Sequence, residues 1–530
     1  MRTIFHNCRV LTMNPSMPEA TAVVTEGAKI IYVGNDRLAL SFAGDDSQLI
    51  DGGGGSLLPG FNDSHLHLLG LGLSMNNIDC RDVLDMPALQ EKVAARVRSA
   101  PLGEAILGRG WDQNKWPAAT YPSRYDLDQV SPHHPVILFR ACGHVLVCNS
   151  RALQMANIDD SIQDVEGGSF DRTPDEKLTG VLREKAMNFI LSALPKSSPQ
   201  VLRDALVKAA EHAVANGITT VQTHDGGGKD WEEVVQAYRD LDVPLRVNVL
   251  FNLDKDEILA YGQDMRAASS RDEQKLGVKT IKIMADGSLG ARTAALREPY
   301  HDDPTNTGLY YYTQEAFDDL VRAAHQAGFQ VAIHAIGDYT ADQAITAIER
   351  AQGSDTARRH RLIHCQILRR DLVARMAQAN IVAEIQPIFV TTDLHWTEHR
   401  IGPERLPYAY AWKSLLEFGV QCAGGSDCPV EGISPLAGIA AAVTRSDSNG
   451  FPREGWLPEQ KLSIREAIAL FSIGSAYAEH MEWCKGQIRP HYLADLVLLG
   501  EDIEAVKPLD IRGVKVKLTM IAGSIAYEQS

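Results

Sequence analysis

Between residues 57 and 426 this 530-residue chain repeats one pattern, a short β-rich run followed by a stretch with helical spacing. Eight runs read as strands, near 57–67, 217–224, 244–251, 279–285, 330–335, 360–365, 381–386 and 421–426. Helices are predicted at Leu202–Ala215, Gln314–Gln326, Arg370–Ala379 and Ser414–Phe418. Eight strands alternating with helices predict an α/β fold, a closed parallel (β/α)8 barrel of the TIM type. An open doubly wound sheet is the competing fold, but no Gly-x-Gly-x-x-Gly turn follows the first strand.

One interval breaks the pattern. The first and second strands lie about 150 residues apart, where a barrel unit takes roughly 30. Residues 72–200 therefore read as an insertion, a small α/β subdomain over the barrel mouth, with a strand at Pro135–Phe139 and a helix at Met86–Val97. Both chain ends are β-rich, at Thr3–Met13, Thr21–Thr25, Lys29–Val33, Ala494–Leu499 and Val514–Ile521. Neither end can build a core alone, so 1–56 and 485–530 are expected to pair into one small β-domain. The barrel then takes 57–71 and 201–484.

Composition narrows the class. The chain is 45% hydrophobic and 23% charged, ordinary for a soluble globular protein. A formal charge of −16 argues against a general nucleic-acid binder, which carries a basic footprint. The eight cysteines form no Cys-x-x-Cys pair and read as buried free thiols in a reducing compartment. Met1–Cys8 lacks a long apolar stretch, so no secretory signal is expected, and no apolar run reaches the ~18 residues that a membrane span needs. A cytoplasmic protein without a membrane partner is expected.

The chemistry-bearing residues fall on strand ends. Leu57–His67 turns at Pro59-Gly60 and presents His65 and His67, which share one side of an extended strand, half of a zinc site. Alone, His-x-His equally describes two exposed histidines on an edge strand. Lys282 interrupts the fourth strand, His334 and His364 end the fifth and sixth, and Asp427 follows the eighth. Each has a bland reading by itself, such as a core histidine or, for Lys282, an ion pair with Asp286. Together they occupy the end of a barrel where chemistry sits, and buried charge is costly unless paired or bound to metal.

Several stretches then carry a resemblance: Leu58–His67, Gly110–Pro117, Gly143–Ser150, Ala285–Ala294 and Lys485–Val497. The chain resembles the amidohydrolase superfamily of metal-dependent hydrolases, in the family 3, YtcJ-like branch that includes N-substituted formamide deformylase. The resemblance implies a β-sandwich built from both termini and a centre of one or two divalent ions, zinc foremost. His65 and His67 would hold one ion with Asp427 beside it, and His334 and His364 a second. Lys282 matches the lysine that relatives can carry as a bridging carbamate; without that adduct a mononuclear site is implied.

The expected activity is hydrolysis of an amide-like C–N bond by metal-activated water, with Asp427 shuttling the proton. The expected substrate is a small molecule, an N-substituted formamide or other linear amide. Cyclic amides, carbamates and esters are alternatives, as is an idle metal-binding regulator or scaffold. Candidate substrate contacts are Trp111, Asp112, Gln113, Trp116, His144, His224 and Arg292. The tryptophans serve equally as core anchors of the insertion, His224 as a hydrogen-bonding support, and Arg292 as a partner of Asp286. Asp302-Asp303, Arg358-Arg359 and Arg369-Arg370 read as solvated faces. A homodimer is left open as the assembly.

Overall fold

The computed structural model describes residues 1–75, 77–140, 145–165, 168–194, 199–269 and 275–529. It contains two compact units, Met1–Leu71 with Arg203–Ser530, and Gly72–Leu202.

The larger unit holds eight parallel strands in chain order: Phe61–Leu66, Ile218–Gly227, Arg246–Asn252, Leu276–Met284, Gln330–Ala335, Arg361–His364, Val382–Ile385 and Cys422–Gly424. They are called strands one to eight below. The sheet closes just beyond strand eight, where Asp427 N donates to His65 O at 2.7 Å and His67 N donates to Cys428 O at 2.8 Å. Gly425 permits this approach, because a Cβ there would stand 2.7 Å from His65 N and 2.9 Å from His65 O. The expected (β/α)8 barrel is the observed fold.

Helices cover the barrel for the ordinary reason. In Asp338–Gln352, buried Ala341, Ala344, Ile345 and Ile348 fall on one helical stripe and join the barrel core. Truncating a buried isoleucine such as Ile345 to Ala costs about 2–5 kcal/mol. The helix stops at Gly353, whose φ of 54° suits the absence of a Cβ.

The chain ends form two further sheets in the same unit. One is ordered Lys29–Gly34, Ala22–Glu26, Arg2–His6, Ser47–Asp51; the other Ser524–Glu528, Val516–Ile521, Leu496–Leu499, Ser56–Pro59, Arg9–Leu11, Glu19–Ala20. Phe5, Val23 and Ile30 of the first share a core with Leu57, Leu496 and Met520 of the second, which makes a β-sandwich. Leu496–Leu499 pairs antiparallel with Ser56–Pro59, so the two termini meet in one sheet.

Two strand boundaries differ from expectation. Thr3–Met13 is two strands in different sheets, because Asn7 turns the chain with a φ of 53°. The predicted strand at 57–67 is also divided: Ser56–Pro59 belongs to the sandwich and the barrel strand begins at Phe61.

The smaller unit is a six-stranded mixed sheet ordered Gly168–Arg172, Leu178–Glu184, Val145–Cys148, Val136–Arg140, Ile106–Trp111, Ile78–Asp79. Its helix Met86–Ser99 starts where the Asp85 side chain accepts from Ala88 N at 2.8 Å. Seven cysteines are described, all free and buried. No helix among the described residues is long and apolar enough to cross a membrane.

Candidate metal centre

Strand one builds the first part of the site. Leu66 is fully buried in the barrel core, while His65 and His67 on either side of it line a cavity of about 550 Å³. Lys282 of strand four, His334 of strand five, His364 at the end of strand six and Asp427 beyond strand eight line the same cavity. All six predicted ligand candidates are thus brought together.

Asp427 Oδ1 lies 3.2 Å from His67 Nε2 and 3.4 Å from His65 Nε2. Lys282, 1% exposed, places Nζ 3.3 Å from His65 Nε2. The His334 and His364 rings meet edge to face at 4.5 Å, and the His364 and His65 rings lie 5.7 Å apart. His364 and Asp427 hold left-handed backbone, φ 77° and 56°. Such conformations cost of order 1–3 kcal/mol each and concentrate at functional sites.

The outer nitrogens of the imidazoles follow one rule. His334 Nδ1 is 3.0 Å from Asp286 Oδ1, and His364 Nδ1 is 2.8 Å from Gln386 Oε1. His67 Nδ1 is 3.0 Å from the His224 carbonyl oxygen, and His65 Nδ1 is 3.2 Å from Glu384 Oε1. An acceptor at Nδ1 favours the Nδ1–H tautomer and leaves the Nε2 lone pair for an ion. Asp286 is itself fixed by backbone N–H groups of Ala295, Ile336 and Gly337 at 3.1, 3.1 and 2.9 Å. Gly337 is needed there, because a Cβ would come within 1.9 Å of Ala295 O.

Burial and the neighbouring charges set the charge state of these groups. Burial opposes charge on Asp427, yet its hydrogen bonds with His65 and His67 hold the carboxyl well below the usual range. Burial and Lys282 push His65 down, but Asp427 and Glu384 outweigh them and its pKa rises. Burial carries Lys282 down to about 8, against the pull of Glu384 and Asp427. Burial, with His334 adding to it, drives His364 well below the usual range and keeps its ring neutral.

The donor set fits a divalent ion. One ligand atom each from His65, His67 and Asp427 lie within 4.8 Å of one another, and imidazole with carboxylate suits zinc and its neighbours. Lys282 is the exception, since an ammonium repels the ion the others would hold.

The sequence did not single out the residues that aim these ligands. Glu384 and Gln386 of the strand-seven region orient His65 and His364, and Asp286 orients His334. Glu384 carried the available signal, a charged residue inside an apolar strand, the same feature that exposed Lys282.

The predicted substrate contacts separate. His224 lines the cavity, and burial, then Lys282 and His67, lower its pKa to about 2. Its backbone carbonyl, rather than its ring, supports His67. Trp111 and Trp116 are buried in the core of the smaller unit, with their indole N–H groups bonded to Leu138 O and Val83 O at 2.8 and 2.9 Å. Arg140 binds Asp112 at 2.7 Å and Gln113 at 2.9 Å in that unit. His144 lies outside the described residues. Arg292 pairs with Asp302 rather than Asp286, at 3.0 and 2.9 Å, and is absent from the described cavity lining.

Asp302 is therefore no solvated acid, since Arg400 binds it too. Nor is Arg369 a solvated base, because it joins Asp338, Asp342 and Asp371. Arg359 pairs with Glu482 at 2.7 Å and lies 3.8 Å from the Tyr477 ring centroid.

Fold and site together define a metal-dependent hydrolase. The crystal structure of an uncharacterized metal-dependent hydrolase from Pyrococcus furiosus is similar over 96% of this chain and 100% of that one, with a TM-score of 0.79 and 28% identity. Residues 48–527 match the amidohydrolase family, and the chain belongs to it. It is an enzyme that hydrolyses C–N bonds of a small-molecule substrate. YtcJ of Bacillus subtilis (strain 168) is 34% identical over 100% of both chains. N-substituted formamide deformylase of Arthrobacter pascens is 25% identical over 99% of this chain and 98% of its own.

Proposed function

We propose that this enzyme hydrolyses a linear, non-peptide amide, with N-substituted formamides the first class to test. One or two zinc ions would be held by His65, His67, His334, His364 and Asp427, with Lys282 in the same cavity as a further ligand. The carrying observation is the convergence of four imidazoles on one cavity with the Asp427 carboxylate, three of them hydrogen-bonded at Nδ1 and His65 facing Glu384 at 3.2 Å. Similarity to the Arthrobacter pascens deformylase supports the choice of formamides.

A divalent ion bound there polarises a carbonyl and lowers the pKa of water from about 15.7 to about 7. The chain supplies the proton handling. Asp427 is anionic and faces the cavity, so it accepts the proton of the attacking water and passes it to the departing nitrogen. Positioned acid–base catalysis of this kind is worth roughly 10²–10⁴-fold.

Lys282 works as a ligand after adding to CO2. The neutral amine forms the N–C bond, Nζ loses a proton, and an anionic carbamate replaces the ammonium. The neutral His224 ring contributes a wall without adding charge.

The test joins metal analysis with a panel of N-formyl and N-acyl amines, cyclic amides, carbamates and esters. Asp427→Asn is expected to keep at least one bound ion and lose roughly 10²–10⁴-fold in kcat. Near-parental turnover would remove Asp427 from the mechanism. A fully loaded protein that cleaves nothing on the panel would favour the idle regulator.

A further inference from the structure

One buried amide of the cavity serves nothing inside the protein. Gln366 lines the cavity and is 4% exposed, and its side chain makes no hydrogen bond among the described residues. Each of the other buried glutamines among those residues does engage its amide. Gln222 and Gln330 donate to the carbonyl oxygens of Ser475 and Ala478 at 2.9 and 2.8 Å, and Gln386 is bonded to His364 at 2.8 Å. A buried polar group without a partner is costly, so one that faces a cavity points to a ligand.

The backbone holds Gln366 in this position. It lies two residues beyond His364, where strand six has ended. His364 and Cys365 both have left-handed backbone, φ 77° and 48°. His364 and Gln366 thus line the cavity, while Cys365 between them is buried in the barrel core. The Gln366 carbonyl oxygen accepts from Tyr410 N at 2.7 Å, and Ile367 N donates to Ile336 O at 3.0 Å. Tyr410 is fixed in turn by Arg445, which donates to its carbonyl oxygen at 3.0 Å, and by its hydroxyl, which donates to Asp393 Oδ2 at 2.6 Å.

Met284, Ile336, Phe389 and Trp396 line the same cavity and offer apolar contact, which leaves Gln366 to read a polar group. A primary amide offers an acceptor oxygen and two N–H donors without charge. In the reading above, the scissile carbonyl oxygen goes to the ion and Asp427 handles the protons. The substrate N–H has no partner in that scheme. Across a trans amide it points away from the carbonyl oxygen, so its acceptor has to come from outside the metal-binding set. Gln366 is such an acceptor. Asp393 and Glu431 also line the cavity, but they already accept from Tyr410 and Thr392, at 2.6 and 3.0 Å.

We propose that Gln366 Oε1 accepts the N–H of the scissile amide, and that Gln366 thereby selects amides bearing an N–H over esters of the same shape. This rests on the amide-hydrolase reading above and adds the residue that recognises the substrate.

The test uses metal-loaded enzyme with N-hexylformamide and hexyl formate. The reading is the change in the amide-to-ester ratio of kcat/KM on substitution, since the two compounds differ in intrinsic reactivity. Gln366→Met keeps the length and loses the hydrogen bond, and the ratio is expected to fall about tenfold or more. Gln366→Glu keeps an acceptor oxygen, and the ratio is expected to stay within about threefold of wild type. An unchanged ratio in Gln366→Met overturns the proposal. An equal fall in Gln366→Glu also overturns it, because the NH2 group would then do the binding. Bound metal per chain should match in all three proteins; a fall of the ratio that comes only with metal loss would make Gln366 a support of the centre and overturn its role in recognition. Gln366→Ala gives the same reading if Gln366→Met does not fold.

If neither compound is cleaved, the amide reading fails, and calorimetry with N-hexylacetamide and hexyl acetate decides the proposal. Amide binding weakened about tenfold in Gln366→Met, with ester binding changed less than about threefold, would support it. Equal changes would refute it.

Discussion

The two ends of the barrel are both lined by buried polar side chains, yet they close differently. At the start of the strands donors meet acceptors. Arg246 grips Asp495 at 2.7 and 3.1 Å, and Lys485 pairs with Glu479 at 2.7 Å. Asn62 bonds Glu479 at 2.6 Å, and Arg361 bonds Gln330 and Gln222 at 2.8 and 2.6 Å. At the far end the outer nitrogens of four imidazoles each face an acceptor, while Asp427 meets the Nε2 atoms of His65 and His67, and Lys282 meets that same His65 Nε2. Buried charge in a strand is thus no signature of chemistry by itself. The signature is a set of imidazoles whose outer nitrogens face acceptors and which line one cavity with a single carboxylate, Asp427. Glu384 links the ends, touching Arg361 and His65 at 3.2 Å each.

This contrast can be broken by substitutions whose effects should divide between stability and metal. Asp495→Ala removes the carboxylate that binds buried Arg246 and accepts from Ala522 N, and is expected to cost about 3–5 kcal/mol in denaturant unfolding. Its bound metal per folded molecule should stay at the parental value; metal loss with unchanged stability would contradict the division.

Glu384→Gln is the sharper probe. Losing a ligand's orienting partner typically costs 10–100-fold in metal affinity, about 1.4–2.8 kcal/mol. A metal titration showing no loss would remove Glu384 as the support of His65. Arg292→Ala should do least, because a partly exposed ion pair with Asp302 contributes only about 0–1 kcal/mol. Its kcat/KM should stay near the parental value, and a large rise in KM would restore a substrate role.

The sequence made the barrel legible because its eight strands are separated by strong helical or turn signals, and burial demands apolar runs. The residues that line the cavity were legible for the same reason: His334, His364 and Asp427 interrupt or end such runs. Boundaries set by long-range pairing were not. Ser56–Pro59 looks continuous with strand one, and its assignment to the sandwich depends on Leu496–Leu499, more than 400 residues away. Orienting contacts were hidden similarly, since nothing near Gln386 in sequence points to His364. The Arg292 partner was not legible, because Asp302 lies across a loop, while Asp286 is spent on His334 and backbone N–H groups.

The most direct measurement removes the ion. Protein stripped with a chelator should keep its circular dichroism spectrum and lose hydrolysis of its best panel substrate, and zinc should restore turnover as it fills one or two sites per chain. Undiminished hydrolysis by verified metal-free protein would contradict the assignment of His65, His67, His334, His364 and Asp427 as a catalytic metal centre.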